Sequence, residues 1–191
     1  PTINEWIDWS YAIGVDSIRY NMFVFDPAIF SLLLPVRAST ISRERYIESL
    51  EYATTVFPSG AVSTTIFVGL ESFESTIFAI DFFTKKGVIP ILPIFNYPDS
   101  LDLPFKEIKP EDVIPVYIHL YRMVKKNKLN LNWIKEVSII ATPMEGRFFS
   151  GESVALFDIL NNFSKSSLGI RIQKGISNLR RFLRVKKVSE D

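Results

Sequence analysis

The sequence predicts an α/β fold in which parallel strands alternate with helices, the kind of repeat that closes into a (β/α) barrel, and three observations carry it. Helical and extended patterns alternate along the chain, with punctuation at each junction. A glycine stands just before each predicted strand, at Gly14-Val15, Gly60-Ala61 and Gly87-Val88, where it supplies the left-handed residue that ends a helix. Two of the strands carry polar side chains at every second position, which sends those side chains to one face.

The elements follow in order. Thr2-Ile3-Asn4-Glu5 has the spacing of a capping box, and Ile3, Trp6, Ile7 and Ser10 lie on one helical face before Gly14 stops the helix. A first strand is expected from Val15 to Val24. Asp26 can cap a short helix with Pro27 at its first position, and Ile41 to Phe57 carries Ile47, Leu50 and Thr54 at helical spacing. Pro58-Ser59-Gly60 breaks the chain ahead of a second strand, Ala61 to Leu70. The next helix shows Phe73, Ile77, Ile80 and Thr84 as a core stripe and ends in Lys85-Lys86-Gly87, and the third strand runs from Val88 to Phe95. A loop from Asn96 to Lys109 leads to a helix opened by Pro110-Glu111-Asp112 and continued by Val113, Val116, Leu120 and Val124. Beyond it the sequence reads as a short strand at Val137 to Ala141, a loop from Thr142 to Ser153, and a helical remainder. The expected organisation is a barrel portion at 1–141 and a loop and helical C-terminal extension at 142–191.

Composition narrows the function classes. With 22 Lys and Arg against 21 Asp and Glu, the net charge of +1 gives no electrostatic footprint for nucleic acid. No apolar run is long enough for a transmembrane helix, and no basic-then-apolar leader opens the chain. The first residue is Pro1 rather than Met, so the chain is expected to be a piece of a longer, soluble, cytoplasmic protein. The absence of cysteine from the sequence fits an intracellular setting and leaves no thiolate for disulfides or metals in this chain.

Strand parity gives the candidate site. On the first strand Ser17, Arg19 and Asn21 alternate with Ile18, Tyr20, Met22 and Val24; on the second, Ser63 and Thr65 alternate with Val62, Ile66, Val68 and Leu70. The apolar sets should meet the helices and the polar sets should face the barrel interior, where a charged Arg19 is costly unless it is paired or binds a ligand. Both readings of Arg19 stand: an internal network closed by a nearby acid, or a ligand-lined lumen. The third strand is apolar on both faces, and Pro90 and Pro93 cannot donate to a ladder, which points to bulges or a frayed end, a polyproline-like edge segment being the other reading.

Tyr20-Asn21, Asp26-Pro27 with Phe30, Arg43-Glu44-Arg45-Tyr46, Leu50-Glu51, Val68-Gly69-Leu70-Glu71, and Ser75-Thr76 to Gly87-Val88-Ile89-Pro90 resemble, in that order, the middle of biotin-synthase-like radical S-adenosylmethionine enzymes. The resemblance covers roughly Gly14 to Phe95 and rests on order and spacing rather than on one motif. It implies a partial (β/α) barrel of the TIM type whose C-x3-C-x2-C segment, holding a 4Fe-4S cluster, is absent from these residues. It also implies S-adenosylmethionine as cofactor, a small-molecule substrate, and a reductant such as ferredoxin or flavodoxin. Asn21 matches an asparagine that in biotin synthase faces substrate and cofactor. Asp26 falls one place late for a ribose contact and reads equally as a helix cap, and Arg43 and Arg45 lie near a family arginine that meets the cofactor carboxylate, out of register by about one residue, a solvated helix face being the other reading. Ser63 stands where biotin synthase has a cysteine ligand of its second cluster, which argues against biotin synthesis by the same route. Glu71, at the C-terminal end of its strand, is either a site residue or the cap of the next helix, and Asn96 and Tyr97 are rim candidates or turn residues before Pro98.

Other constellations are weaker. His119 is the sole histidine and no G-x-S-x-G elbow accompanies it. The tail from Ser167 to Val188 interleaves leucines and isoleucines with Arg and Lys and reads as a helix packing across the barrel or as a membrane-surface or partner helix. The expected function is therefore a radical S-adenosylmethionine enzyme, with Asn21, Arg19, Ser63, Thr65, Glu71, Arg45 and Asp26 as cofactor- or substrate-binding candidates. Two other hypotheses stand beside it: a cluster-independent barrel enzyme binding an anionic metabolite through Arg19, and a degenerate barrel acting as an interaction module through its basic tail.

Overall fold

A computed structural model of the chain describes residues 2–95, 108–137 and 142–151. The expected loop at 96–107, most of the expected strand at 137–141 and the basic tail lie outside them. The chain divides into two compact units, 1–16 with 151–191, and 17–150.

In the first unit, helix α1 (Ile3–Ala12) opens on the full capping box: Thr2 accepts from the Glu5 amide and Glu5 accepts from the Thr2 amide. It closes on Gly14, whose φ of 103° no β-carbon would favour.

The second unit is an α/β fold around a parallel sheet of three strands, β1 (Ile18–Arg19), β2 (Val62–Thr65) and β3 (Ile89–Ile91), in the order β1-β2-β3. Between β1 and β2 lie α2 (Pro27–Leu33), α3 (Pro35–Thr40) and α4 (Arg43–Val56); α5 (Phe73–Lys85) connects β2 to β3; α6 (Pro110–Lys126), α7 (Asn132–Val137) and α8 (Thr142–Phe149) follow. Hydroxyl and carboxylate caps start three of these helices, Asp26 as the sequence predicts, and Ser42 and, in place of Glu71, Ser72 at positions it did not single out. Asp26 accepts from the amides of Ala28 and Ile29, Ser42 from Arg45, and Ser72 from Ser75.

All three strands are shorter than their apolar patterns predict, for backbone reasons. On β1, Phe23 adopts φ 72°, a left-handed conformation that costs a bulky residue about 1–2 kcal/mol. Arg19 faces Ser63 but Phe23 faces Ile66, so four steps of β1 span three of β2, and the extra residue interrupts regular pairing. On β3 the ladder runs from the Ile66 amide to Ile91 O, from the Val68 amide to Pro93 O, and from the Phe95 amide to Val68 O. By that pattern residue 93 should donate to Ile66 O, and Pro93 has no N–H to give, so pairing lapses until the isolated bridge between Val68 and Ile94. β2 leaves regular pairing after Thr65, short of the expected Leu70, and continues only through the bridges of Ile66 and Val68.

Other expectations are corrected as well. The helix expected from Ile41 starts at Arg43, and α3 is an additional helix ahead of it, opened by Pro35. Residues 142–149 form α8 rather than a loop: Pro143 sits in its first turn, and Gly146 lets it approach α6 so closely that a β-carbon would lie 1.9 Å from Tyr117 O. Helices α4 and α5 pack on the sheet, and α6 packs on α5 and on α8, burying Leu50, Ala53, Ile66, Ile80, Phe83 and Leu120. The Leu92 backbone just past β3 is tied to this layer, its N–H donating to Thr142 at 2.9 Å and its carbonyl accepting from the Tyr117 hydroxyl at 3.0 Å. Among the described residues no helix is long and apolar enough to cross a membrane.

Candidate functional site

Period-two geometry separates the two faces of the sheet as the sequence predicts. Val62, Thr64, Ile66 and Val68 are fully buried under the helices. Thr64 keeps its hydroxyl satisfied there by donating to Tyr20 O at 2.8 Å and accepting from the Met22 amide at 3.3 Å. On the opposite face, Arg19 Nε donates to Ser63 Oγ at 3.3 Å and the Thr65 hydroxyl donates to Asn21 Oδ1 at 2.8 Å. The structure thus brings Arg19, Asn21, Ser63 and Thr65 together in two cross-strand pairs. No carboxylate among the described residues closes on Arg19, and its Nη2 is buried with no hydrogen-bond partner. Burial lowers the Arg19 pKa from its ordinary value. The Asn21 side chain is exposed, and with its oxygen held by Thr65 its amide NH2 is turned to use by others.

Toward the carboxyl ends of the strands the same face becomes aromatic. Phe23 and Phe67 lie with ring centroids 5.6 Å apart, and Phe67 meets Phe95 edge-on at 5.7 Å. Arg37, on α3, lays its guanidinium over the Phe23 ring at 4.8 Å and donates from Nη1 to Asn21 O at 3.3 Å.

Glu71 lies beyond β2, past the isolated bridge at Val68, and has a different role. Its Oε2 accepts from the amides of Phe25 (2.9 Å) and Asp26 (2.7 Å) and from the Ser75 hydroxyl (3.1 Å), tying the segment beyond β1 to that beyond β2. Its Oε1 is buried without a partner. Burial pushes the Glu71 carboxyl up from the ordinary range, against the pull of the three hydrogen bonds. Arg43 reinforces the junction, donating from Nε to Phe25 O at 2.6 Å and stacking at 4.4 Å on the Phe25 ring, which points into α5 against Phe78, Phe82 and Phe83.

Two candidates leave the site. Arg45 lies on the outer side of α4 in an ion pair with Glu48 at 3.1 Å, because a residue two positions from Arg43 on a helix faces away from it. Asp26 spends its carboxylate on the α2 cap. His119 joins α6 to α5 through Asp81 at 2.7 Å. Sequence reasoning passed over Arg37; its one signal is that it is the single charged residue between Ser31 and Ile41.

The sequence has no cysteine, so these residues do not fit an iron–sulfur cluster, and among the described residues no His, Asp and Glu gather into a metal-binding group. The open amide of the exposed Asn21 side chain is compatible with a polar small molecule. Comparison with models of protein families finds no match, and neither does comparison with curated proteins or with solved structures.

Proposed function

We propose that this chain supplies the ligand-facing strands of a (β/α) barrel enzyme of the radical S-adenosylmethionine class, with the cluster held by residues outside these 191. The observation that carries the reading is the convergence of Arg19, Asn21, Ser63 and Thr65 in cross-strand pairs on one face of a parallel sheet. Polar side chains are otherwise uncommon on such strands, and ligands of α/β enzymes sit at the carboxyl ends. The ordered resemblance from Tyr20-Asn21 to Glu71 supplies the class. In that class S-adenosylmethionine, bound beside the cluster, would supply hydrogen abstraction from substrate, and Asn21 is the residue of this chain that would meet it. This chain's part is to position and to keep water out: Asn21 presents its amide, Thr65 fixes the orientation of that amide, and the ties of Glu71 to Phe25 and Asp26 hold the strand ends at a set distance.

A second reading, a cluster-independent barrel enzyme for an anionic metabolite, is favoured by one observation, the Arg19 Nη2 with no acceptor in the fold. One experiment separates the two. Full-length protein loaded with iron and sulfide and then reduced should release 5'-deoxyadenosine from S-adenosylmethionine, and Asn21→Ala should cut that release at least tenfold. Loaded, folded protein that releases none would overturn the first reading.

A further inference from the structure

Arg37, Phe23, Phe67 and Phe95 form a cluster that the enzyme class does not account for. They sit where the strands end, beyond the polar pairs, and the Phe23, Phe67 and Phe95 rings are each half-buried. Phe23 reaches this row through a left-handed backbone, the kind of strained conformation that concentrates at ligand-binding positions. Arg37 is held rather than loose, its guanidinium over the Phe23 ring and one N–H given to Asn21 O. It forms no ion pair with a carboxylate among the described residues, and the neighbouring acids are spent elsewhere, Asp26 on the α2 cap and Glu71 on the β1 end. The remaining N–H groups of a guanidinium make a fork that matches a carboxylate in two parallel hydrogen bonds.

We propose that this cluster binds a planar carboxylate, an aromatic or conjugated acid, with the ring of Phe67 against its flat face and the Arg37 guanidinium on its carboxyl group. A singly charged planar anion fits better than a phosphate. One cation stands over an aromatic floor, and α3, at six residues, is too short to add an anion-binding helix terminus. The proposal rests on the reading that this face of the sheet meets ligand, and it names the ligand class.

The test is calorimetric titration of the full chain with benzoate, benzamide and cyclohexanecarboxylate. Benzoate should bind with benzamide at least tenfold weaker, because the neutral amide loses the charged fork, and cyclohexanecarboxylate should be several-fold weaker for want of a flat face. Arg37→Ala should weaken benzoate at least tenfold, Arg37→Lys less, and Phe67→Leu several-fold. Arg45→Ala, on the outer face of α4, should leave the affinity unchanged, and all variants should keep the wild-type circular dichroism. Equal affinity for benzoate and benzamide, full affinity in Arg37→Ala, or no benzoate binding would overturn the proposal. Protein that releases 5'-deoxyadenosine yet ignores benzoate would sink this inference and leave the enzyme class standing. Arg37-dependent benzoate binding in loaded protein that cleaves no S-adenosylmethionine would do the reverse.

Discussion

Replacing Glu71 by alanine removes the acceptor that fastens the segment beyond β1 to the segment beyond β2. Its Oε2 serves the amides of Phe25 and Asp26 and the hydroxyl of Ser75, and the bond to Phe25 is fully buried. A buried donor left without its acceptor costs about 1–3 kcal/mol; the bonds to Asp26 and Ser75 are only part-buried, so the total comes to about 2–4 kcal/mol. For a chain of this length that lowers Tm by roughly 4–16 °C. Glu71→Gln retains an oxygen to accept from both amides and should cost less than about 1 kcal/mol. The two variants also differ in pH dependence. Burial raises the Glu71 pKa in the native state, so the native protein holds that proton more tightly than the unfolded chain does. Its stabilising effect is complete below the unfolded-state value near about 4.3 and is lost as pH rises through the raised native value. Glutamine cannot titrate, so the stability of Glu71→Gln relative to wild type should improve as pH rises from about 4 toward neutrality. Urea unfolding followed at 222 nm across that range, with hydrogen exchange of the Phe25 and Asp26 amides, measures both effects. Alanine and glutamine variants of equal stability, or a glutamine variant that loses ground as pH rises, would refute the reasoning.

Further outcomes follow from the packing. Thr64→Val strips Tyr20 O and the Met22 amide of their buried partner and should destabilise by about 1–3 kcal/mol in denaturant melts. Gly60→Ala must place a β-carbon 1.8 Å from Asn130 O at φ 83°, so a loss above about 2 kcal/mol is expected, measured the same way. Tyr117, whose pKa burial pushes up to about 12, should stay protonated in the folded state well above the unfolded-state value of 10. Its contribution is intact below pH 10 and is lost between there and about 12; alkaline unfolding should show that decline in wild type and not in Tyr117→Phe, which itself costs about 1 kcal/mol for the bond to Leu92 O.

Much of this architecture was legible in the residues. Strand parity alone put Arg19, Asn21, Ser63 and Thr65 on one face, because alternation is fixed by the pleat and does not depend on what surrounds it. Gly14 and Gly87 marked helix ends for the same local reason, each with a positive φ, whereas Gly60 takes its positive φ in the turn from Pro58 to Ala61, after α4 has already closed at Phe57. What the sequence hid depends on contacts between distant segments. The left-handed Phe23 belongs to a residue type that gives no warning of it, and the extra residue it absorbs shows only in the register against β2. Glu71 reads as a cap or a site residue until Phe25 and Asp26, 46 and 45 positions away in sequence, are seen to donate to it. Arg37 gained its place through α3, a helix of six residues too short to show a period, and Arg45 lost its place through the helical angle separating it from Arg43.

Chemical-shift mapping with benzoate tests most directly whether the polar and aromatic face of the sheet is where ligand binds. Titrated into isotope-labelled protein, benzoate should move the Asn21 side-chain amide, the Arg37 Nε–H and the backbone amides of Phe23, Thr65 and Phe67, while the Arg45 Nε–H and the amides of α8 stay still. Saturable binding whose shifts fall on the outer helices and leave Asn21 and Arg37 unmoved would contradict the account.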